Sequence, residues 1–138
     1  MLYPIVIEPG SDDHAFGVVV PDIPGCFSAG DSFEDAVINA REAIEGHLEI
    51  LCEDNLEIPQ ATQVQAHIGK AEYSGWVWAL VEVDITPFLG KSQKVNVTLP
   101  DVLIKRIDDT VARQPSYKSR SGFLAQAALH ELSRLTAA

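Results

Sequence analysis

How the last third of this 138-residue chain folds is decided by one stretch, Lys94-Val95-Asn96-Val97-Thr98-Leu99-Pro100. Its residues alternate between polar and apolar, and a period of two is the pattern of a β-strand with one buried face. The apolar face would consist of Val95, Val97 and Leu99. The polar face would consist of Lys94, Asn96 and Thr98. The stretch therefore predicts a half-buried strand.

Two short amphipathic helices are predicted after this strand. Pro100 suits the first position of the first helix, whose apolar face is made by Leu103, Ile104, Ile107 and Val111. A polar break follows at residues 114–118. Ser119 is a good N-cap for the second helix. The apolar face of this second helix consists of Phe123, Leu124, Ala127, Ala128, Leu132 and Leu135.

This carboxy-terminal module is too small to be stable alone. One strand and two helices in about 45 residues cannot bury an adequate core. The strand also lacks a neighbour, because the linker at residues 86–93 isolates it from the first sheet. We expect two copies of the strand to pair antiparallel, with four helices closing over the apolar face. A homodimer is therefore the minimum assembly, and the first domain could add a second interface.

The polar face of such a two-stranded ribbon fits the major groove of DNA, where Lys and Asn can bond base edges and Thr can touch a thymine methyl. We predict base-edge contacts by Lys94, Asn96 and Thr98. Helix N-termini bind phosphate, which predicts phosphate contacts by Lys118, Ser119, Arg120 and Ser121. The alternative is a solvated edge strand whose lysine prevents aggregation.

Residues 94–135 resemble the ribbon-helix-helix family of bacterial transcription regulators. The resemblance is carried by the Val-x-Val-x-Leu-Pro strand, by Ile107-Asp108 and by Ser119-Arg120-Ser121. The interhelical turn departs from the family, because Gln114-Pro115-Ser116-Tyr117 stands where a glycine is common. The resemblance implies binding to operator DNA as a dimer.

The charge of the chain divides at the same place. The whole chain has a formal net charge of −10. Residues 1–93 hold 16 acidic and 3 basic side chains, a net charge of −13, whereas residues 94–138 hold 4 acidic and 7 basic ones, a net charge of +3. An acidic body repels nucleic acid and attracts a basic protein, and a basic tail does the reverse.

An α+β domain is predicted for residues 1–90. Three β-prone runs, at residues 3–8, 15–20 and 26–30, are separated by turn residues and predict an antiparallel meander. A long helix with one apolar stripe is predicted from the N-cap Ser32 to about Glu53. Residues 64–68 suggest a short strand. Residues 76–85 predict a strand inside the sheet, because both of its faces begin apolar.

This first domain resembles the HicB family of antitoxins. The resemblance is carried by Tyr3-Pro4-Ile5, Phe16-Gly17-Val18, Pro21-Asp22-Ile23-Pro24-Gly25-Cys26, Gly30-Asp31-Ser32 and the spacing of Ala36, Asn39, Ala40 and Ala43. It implies a partial RNase-H-like β-β-β-α-β sheet without a working active site. It also implies a partner, the HicA toxin, which is a small basic mRNA-cleaving ribonuclease that this domain binds and blocks.

Exposed acidic side chains would favour such a basic partner, because complementary charge speeds encounter. The candidates for toxin binding are Asp12, Asp13, Asp22, Glu34 and Glu49. The alternative for each of them is a solvated carboxylate on a turn or a helix face, whose energetic contribution is small.

No catalytic, metal or cofactor site is predicted. Ribonuclease-H chemistry requires several acids around two metal ions about 4 Å apart, and no predicted strand face carries such a cluster. The four histidines are scattered, and the two cysteines, Cys26 and Cys52, give neither a disulfide framework nor zinc-ligand spacing. The sequence shows no signal peptide and no apolar run long enough to span a membrane. These features predict a cytoplasmic protein.

The sequence therefore predicts a two-domain antitoxin, with a HicB-like toxin-binding domain at residues 1–90 and a ribbon-helix-helix domain at residues 94–138. It would neutralise a toxin ribonuclease and repress its own operon. Two alternatives stay open. One is a transcription regulator whose first domain senses a small ligand, and the other is a vestigial or active nuclease.

Overall fold

The computed structural model describes residues 1–136, and the chain divides into two compact units. The first unit is Met1–Gly90, and the second begins at Lys91. The boundary falls within residues 86–93, where a linker is predicted. None of the helices in the described part of the chain combines the length and the apolar character needed to cross a membrane.

The first unit is an antiparallel four-stranded sheet with a long helix on one face. Its elements are β1 (Leu2–Glu8), β2 (Phe16–Val19), β3 (Phe27–Gly30), α1 (Phe33–Glu53), the four-residue α2 (Gln65–Ile68) and β4 (Val77–Glu82). The strand order across the sheet is β3-β2-β1-β4. The predicted meander of three strands followed by a long helix is confirmed.

The core of this unit is centred on β1, whose residues 3–7 are all buried. Strand β1 lies between β2 and β4, so both of its edges are paired with neighbouring strands. Helix α1 covers the face that carries Phe16, because the ring of Phe33 packs edge-on against it with centroids 4.7 Å apart. The helix buries Ala36, Ala40, Ile44 and Leu48 against the sheet.

Helix α1 begins where the sequence predicts, because its first turn is capped locally. The backbone N–H of Asp35 donates to the Ser32 hydroxyl at 3.1 Å, which satisfies one of the amides that a helix start leaves without a partner. Gly30 precedes this cap, and a Cβ there would lie 2.4 Å from the backbone nitrogen of Ala36. The close approach of helix and strand therefore requires glycine.

Two sequence predictions for this unit are wrong. Residues 64–68 form no strand, because Val64 begins a helical turn whose carbonyl accepts from the N–H groups of His67 and Ile68. Strand β4 is present, but it lies at the edge of the sheet rather than inside. Strand β1 occupies the inner position next to β4. The apolar composition of β4 alone therefore did not predict its place in the sheet.

The second unit contains two helices, α3 (Asp101–Arg113) and α4 (Arg120–Thr136), as the sequence predicts. Pro100 is the N-cap of α3 rather than its first helical residue. Ser119 precedes α4, and its hydroxyl accepts from the backbone N–H of Gly122 at 3.0 Å. The predicted capping role of Ser119 is therefore confirmed.

The turn between these helices contains a strained residue. Lys118 has φ 67° and ψ −42°, and the N–H of Ser119 donates to the Tyr117 carbonyl at 2.8 Å, which together make a γ-turn of the rare, strained kind. A Cβ at Gly122 would lie 2.0 Å from the Tyr117 carbonyl oxygen. The sharp turn thus depends on a glycine inside α4, although the turn itself contains none.

Candidate DNA and protein interfaces

The predicted ribbon residues lie in an exposed segment at the start of the second unit. In the single chain, residues 94–99 form no β-strand, because no segment within residues 1–136 pairs with them. The predicted strand is therefore absent from the monomer. Lys94, Asn96 and Thr98 are exposed, but so are the valines on the opposite face, Val95 at 73% and Val97 at 64%.

The helices of the second unit also leave apolar surface uncovered. Of their predicted core residues, Ile107 is the one that is fully buried, with 4% of its surface exposed. Leu103 on α3 is 42% exposed, and Leu135 on α4 is 58% exposed. One copy of this unit therefore cannot bury its own apolar face, as the small size of the module predicts.

The start of α4 carries the predicted phosphate contacts, and one of these residues, Arg120, is already bonded within the second unit. The guanidinium of Arg120 donates two hydrogen bonds to the Asp108 carboxylate, at 3.0 Å and 2.7 Å. These bonds hold the pKa of Asp108 below its usual range. This bidentate pair joins α3 to α4 and occupies the Arg120 guanidinium. Of the two cations at the start of α4, Lys118 is therefore the one without an ion pair among the described residues. Ser121 lies in the first helical turn, where amides lack helical acceptors.

The acidic candidates of the first unit fall into two groups. Asp12 and Asp13 are exposed in the turn between β1 and β2, and Glu34 and Glu49 are exposed on α1. Asp22 differs, because only 6% of its side chain is exposed. Four of the five predicted acids thus face solvent, whereas the Asp22 side chain is largely covered.

Asp22 instead anchors the segment that follows α1. Its carboxylate accepts from the backbone N–H of Thr62 at 2.8 Å and from the Thr62 hydroxyl at 2.7 Å. It also lies 3.2 Å from the Nε2 of His67. The other ring nitrogen of His67, Nδ1, lies 3.0 Å from the Lys70 ammonium, and the ring stacks on Trp78. These contacts hold residues 62–70 against the sheet.

This polar cluster has no nucleophilic arrangement. A serine- or threonine-type triad requires the acid and the hydroxyl on opposite nitrogens of the histidine ring. Here the Thr62 hydroxyl and the Asp22 carboxylate both approach Nε2 of His67, at 2.8 Å and 3.2 Å. The cluster is therefore structural. The sequence did not reveal it, because Asp22 and His67 are 45 residues apart and no motif links them.

Replacing Asp22 with alanine should destabilise the first unit by about 1–3 kcal/mol, the usual cost of leaving buried polar partners unsatisfied. His67 and Thr62 would lose the carboxylate that they share. Chemical denaturation of the full chain would measure the effect. The matched control is Asp12→Ala, an exposed turn position where a change within about 0.5 kcal/mol is expected. Equal stabilities for the two variants would contradict the anchoring role.

Two further buried groups are inert in the folded chain. The Tyr3 hydroxyl donates to the Pro59 carbonyl at 2.8 Å, and burial together with the nearby Asp22 charge raises the pKa of Tyr3 to about 12. Burial likewise raises the pKa of the Cys26 thiol, which opposes thiolate formation. Cys52 is half-buried. The raised pKa of Cys26 makes it a poor nucleophile.

The described residues offer little to a metal ion or a small ligand. No group of three or more His, Cys, Asp or Glu side chains within residues 1–136 is arranged to hold a metal. A shallow cavity of about 220 Å³ lies between β3 and the start of α1 and is lined by Ala29, Asp31, Asp35 and Asn39, among others. Ligand pockets usually enclose about 300–1,000 Å³ and are mainly apolar, so this cavity gives the ligand-sensing alternative no support.

Comparison with known proteins identifies the class of this protein. The family model of the HicB-like antitoxins of bacterial toxin–antitoxin systems matches residues 3–128. The chain therefore belongs to the HicB-like antitoxin family, and it is an antitoxin rather than an enzyme.

Two of the similar proteins match nearly the whole chain, and a third matches about three fifths of it. An uncharacterized 14.9 kDa protein in the rep-hol intergenic region of Haemophilus phage HP1 is 46% identical, covering 96% of this chain and 98% of the relative. The Burkholderia pseudomallei antitoxin HicB, known from a crystal structure, is 42% identical in sequence. The match has a TM-score of 0.71 and covers 96% of this chain and 98% of that one. A chain in a HicA3 and HicB3 toxin–antitoxin complex is 33% identical in sequence. That match has a TM-score of 0.52 and covers 61% of this chain and 99% of that one.

Proposed function

We propose that this antitoxin acts in the cytoplasm, neutralises a HicA-like toxin ribonuclease through its first unit, and represses its own operon through its second. The observation that carries the proposal is the pairing of two chemically opposite parts in one chain. One part is a strongly acidic folded unit in the antitoxin family. The other is a net basic unit with an exposed strand-like segment and uncovered apolar surface.

A ribbon-helix-helix dimer accounts for the exposed surface of the second unit. Two copies of residues 94–99 would pair antiparallel, which would bury Val95 and Val97 beneath the helices of both chains. These two valines are 73% and 64% exposed in the single chain, and solvent-facing aliphatic side chains at such density are unfavourable. The strand-forming pattern of the sequence and the exposure of its apolar face both support this pairing.

The polar face of the same ribbon is the proposed DNA-reading surface. Lys94, Asn96 and Thr98 would each appear twice, related by the two-fold axis, as major-groove readers require for a palindromic operator. Lys118, Ser119, Arg120 and Ser121 would contact the phosphates on either side. Lys118 is the more available cation, since Arg120 is already held by Asp108. An Arg120 contact to phosphate would share the guanidinium with that carboxylate.

The first unit is the proposed toxin-binding domain. Residues 1–90 hold 16 acidic and 2 basic side chains, a net charge of −14, which favours a basic partner and disfavours RNA at the same surface. Asp12, Asp13, Glu34 and Glu49 would contribute to this field. The β-β-β-α-β order is consistent with a partial RNase-H-like fold, and the related HicA3–HicB3 complex supports a HicA-like partner.

The direct test is a toxin-inhibition assay. The chain should co-purify with a small basic HicA-like protein and block its RNA cleavage at a stoichiometric ratio. A ligand-induced rise in melting temperature without any protein partner would instead favour the ligand-sensing regulator. Metal-dependent RNA cleavage by the purified chain alone would contradict the antitoxin role altogether.

Asn96→Ala should weaken specific operator binding by about 1–3 kcal/mol, the range for a good base contact. Toxin neutralisation should be unchanged, because Asn96 lies outside the first unit. A gel-shift titration against operator and scrambled DNA would measure the loss of discrimination. Operator affinity equal to that of the unsubstituted chain would remove Asn96 from the DNA-reading face.

A further inference from the structure

Strand β4 forms a free edge of the sheet in the first unit. Met1 and Val83 exchange two backbone hydrogen bonds, at 2.8 Å and 2.9 Å, which fixes the hydrogen-bonding phase of the β1–β4 ladder. Bonded and non-bonded pairs alternate in an antiparallel ladder. The main-chain N–H and C=O groups of Val77, Ala79 and Val81 therefore point toward β1. The N–H and C=O groups of the intervening residues therefore point outward.

Three residues, Trp78, Leu80 and Glu82, present these outward main-chain groups. No hydrogen bond from within residues 1–136 reaches them, and no described strand lies on that side of β4. The position of Pro4 agrees with this phase. Pro4 lies opposite Leu80 in the register, in a pair that exchanges no bonds, so its missing N–H costs the β1–β4 ladder nothing.

The two edges of this sheet are treated differently. Strand β3, at the other edge, has four residues, and its Ala29 carbonyl accepts from the Asn39 side chain at 2.8 Å. Strand β4 has six residues and carries no proline, lysine or inward charge that would block pairing. Its Leu80 is 53% exposed, and the neighbouring Leu2 is 51% exposed. Apart from Glu82 at its end, the edge carries no charge or proline that would block pairing, so it is a template for another strand.

From this edge we infer that the antitoxin binds its toxin by β-sheet augmentation, with a strand of the toxin pairing along Trp78, Leu80 and Glu82. The inference rests on the proposed function and specifies the surface through which that function operates. Main-chain bonds would supply affinity, and an apolar side chain of the toxin strand would cover Leu80 and Leu2.

Charge selects a cationic partner over a second copy of this chain as the occupant of the edge. Pairing two first units would bring together two bodies of net charge −14 each, whereas a cationic protein is attracted to the same surface. Glu82 is exposed at one end of the strand and would favour a lysine or arginine on the incoming strand. The occupant is therefore a basic protein that has a strand edge of its own.

Amide hydrogen exchange of the full-length chain, with and without purified HicA-type toxin from the same genome, tests this inference. Trp78, Leu80 and Glu82 should exchange quickly in the free chain and slow by at least about tenfold in the complex. Ala79 and Val81, already bonded to β1, are internal controls that should be protected in both states. Protection of the three amides that depends on chain concentration without toxin would overturn the inference in favour of self-pairing.

A proline substitution supplies a second readout. Leu80→Pro removes one outward N–H and leaves the β1 ladder intact, and edge strands accept proline at such positions. Toxin affinity should fall by about tenfold or more, because one main-chain hydrogen bond is lost and the adjacent bonds to the toxin strand are weakened. Leu80→Thr keeps the N–H and should retain affinity within about threefold, since only the side-chain contact is reduced. Melting curves would verify that both variants fold.

The outcomes separate the inference from the proposed function. Toxin binding with unchanged exchange at Trp78, Leu80 and Glu82 would overturn the inference and leave the antitoxin role standing. Equal losses in Leu80→Pro and Leu80→Thr would also overturn it, because they would indicate a side-chain contact without strand pairing. Failure of the wild-type chain to bind the toxin at all would remove both.

Discussion

Replacing Val97 with aspartate is expected to abolish dimerisation of the second unit and, with it, operator binding. In the proposed ribbon, each Val97 is enclosed by the helices of both chains, so the variant would bury two carboxylates without partners. An uncompensated buried charge costs about 3–5 kcal/mol, which corresponds to a weakening of the dimer by roughly 100-fold or more. Analytical ultracentrifugation and a gel-shift titration would measure the two losses.

The matched control for this prediction is Thr98→Asp, which adds the same charge one residue later on the opposite face of the ribbon. This variant should still dimerise, because its carboxylate stays in solvent. It should nevertheless lose operator affinity, since a carboxylate at the groove repels phosphate. If Val97→Asp formed dimers as well as Thr98→Asp did, the proposed ribbon would be wrong. Normal DNA binding by Thr98→Asp would contradict the assignment of the polar face.

Deleting residues 94–138 is expected to abolish DNA binding and to spare toxin binding. The remaining residues 1–93 keep every buried residue of the first core and have a net charge of −13, so they should fold and repel DNA. Operator affinity should fall by at least about 1,000-fold, the usual gap between specific and non-specific binding. The affinity of one first unit for one toxin molecule should change little, because the core and strand edge of that unit are retained.

The elements specified by neighbouring residues could be predicted from the sequence. Helix α1 is an example, because the Ser32 cap and a regular apolar stripe lie within the helix itself. The two carboxy-terminal helices were predicted for the same reason. Local alternation also predicts a strand at residues 94–99, but a single chain supplies no partner strand and forms no ladder there.

Features that depend on distant parts of the chain could not be predicted. The order β3-β2-β1-β4 places β4 at an edge, yet apolar residues on both of its faces suggested an inner strand. Asp22 looked like a surface acid in a proline-rich turn, and only the fold brings Thr62 and His67 to it. The strained conformation of Lys118 likewise depends on the close contact between Gly122 and the Tyr117 carbonyl.

These long-range features also change the description of the candidate sites. The sequence supplied charge, which explains attraction to a basic partner but gives no geometry for its binding. The structure removes Asp22 from that charged surface and assigns the Arg120 guanidinium to Asp108. It adds a free strand edge with directional main-chain groups, which no composition or motif of the sequence indicated.

The proposed division of labour requires that the acidic first unit alone blocks the toxin. It is tested most directly by titrating residues 1–93, beside the full chain, into an RNA-cleavage assay of the purified HicA-like toxin. Both proteins should stop cleavage at the same molar ratio of first units to toxin. Cleavage that continues at an excess of residues 1–93, while the full chain inhibits it, would contradict the claim that toxin binding and DNA binding lie on separable units.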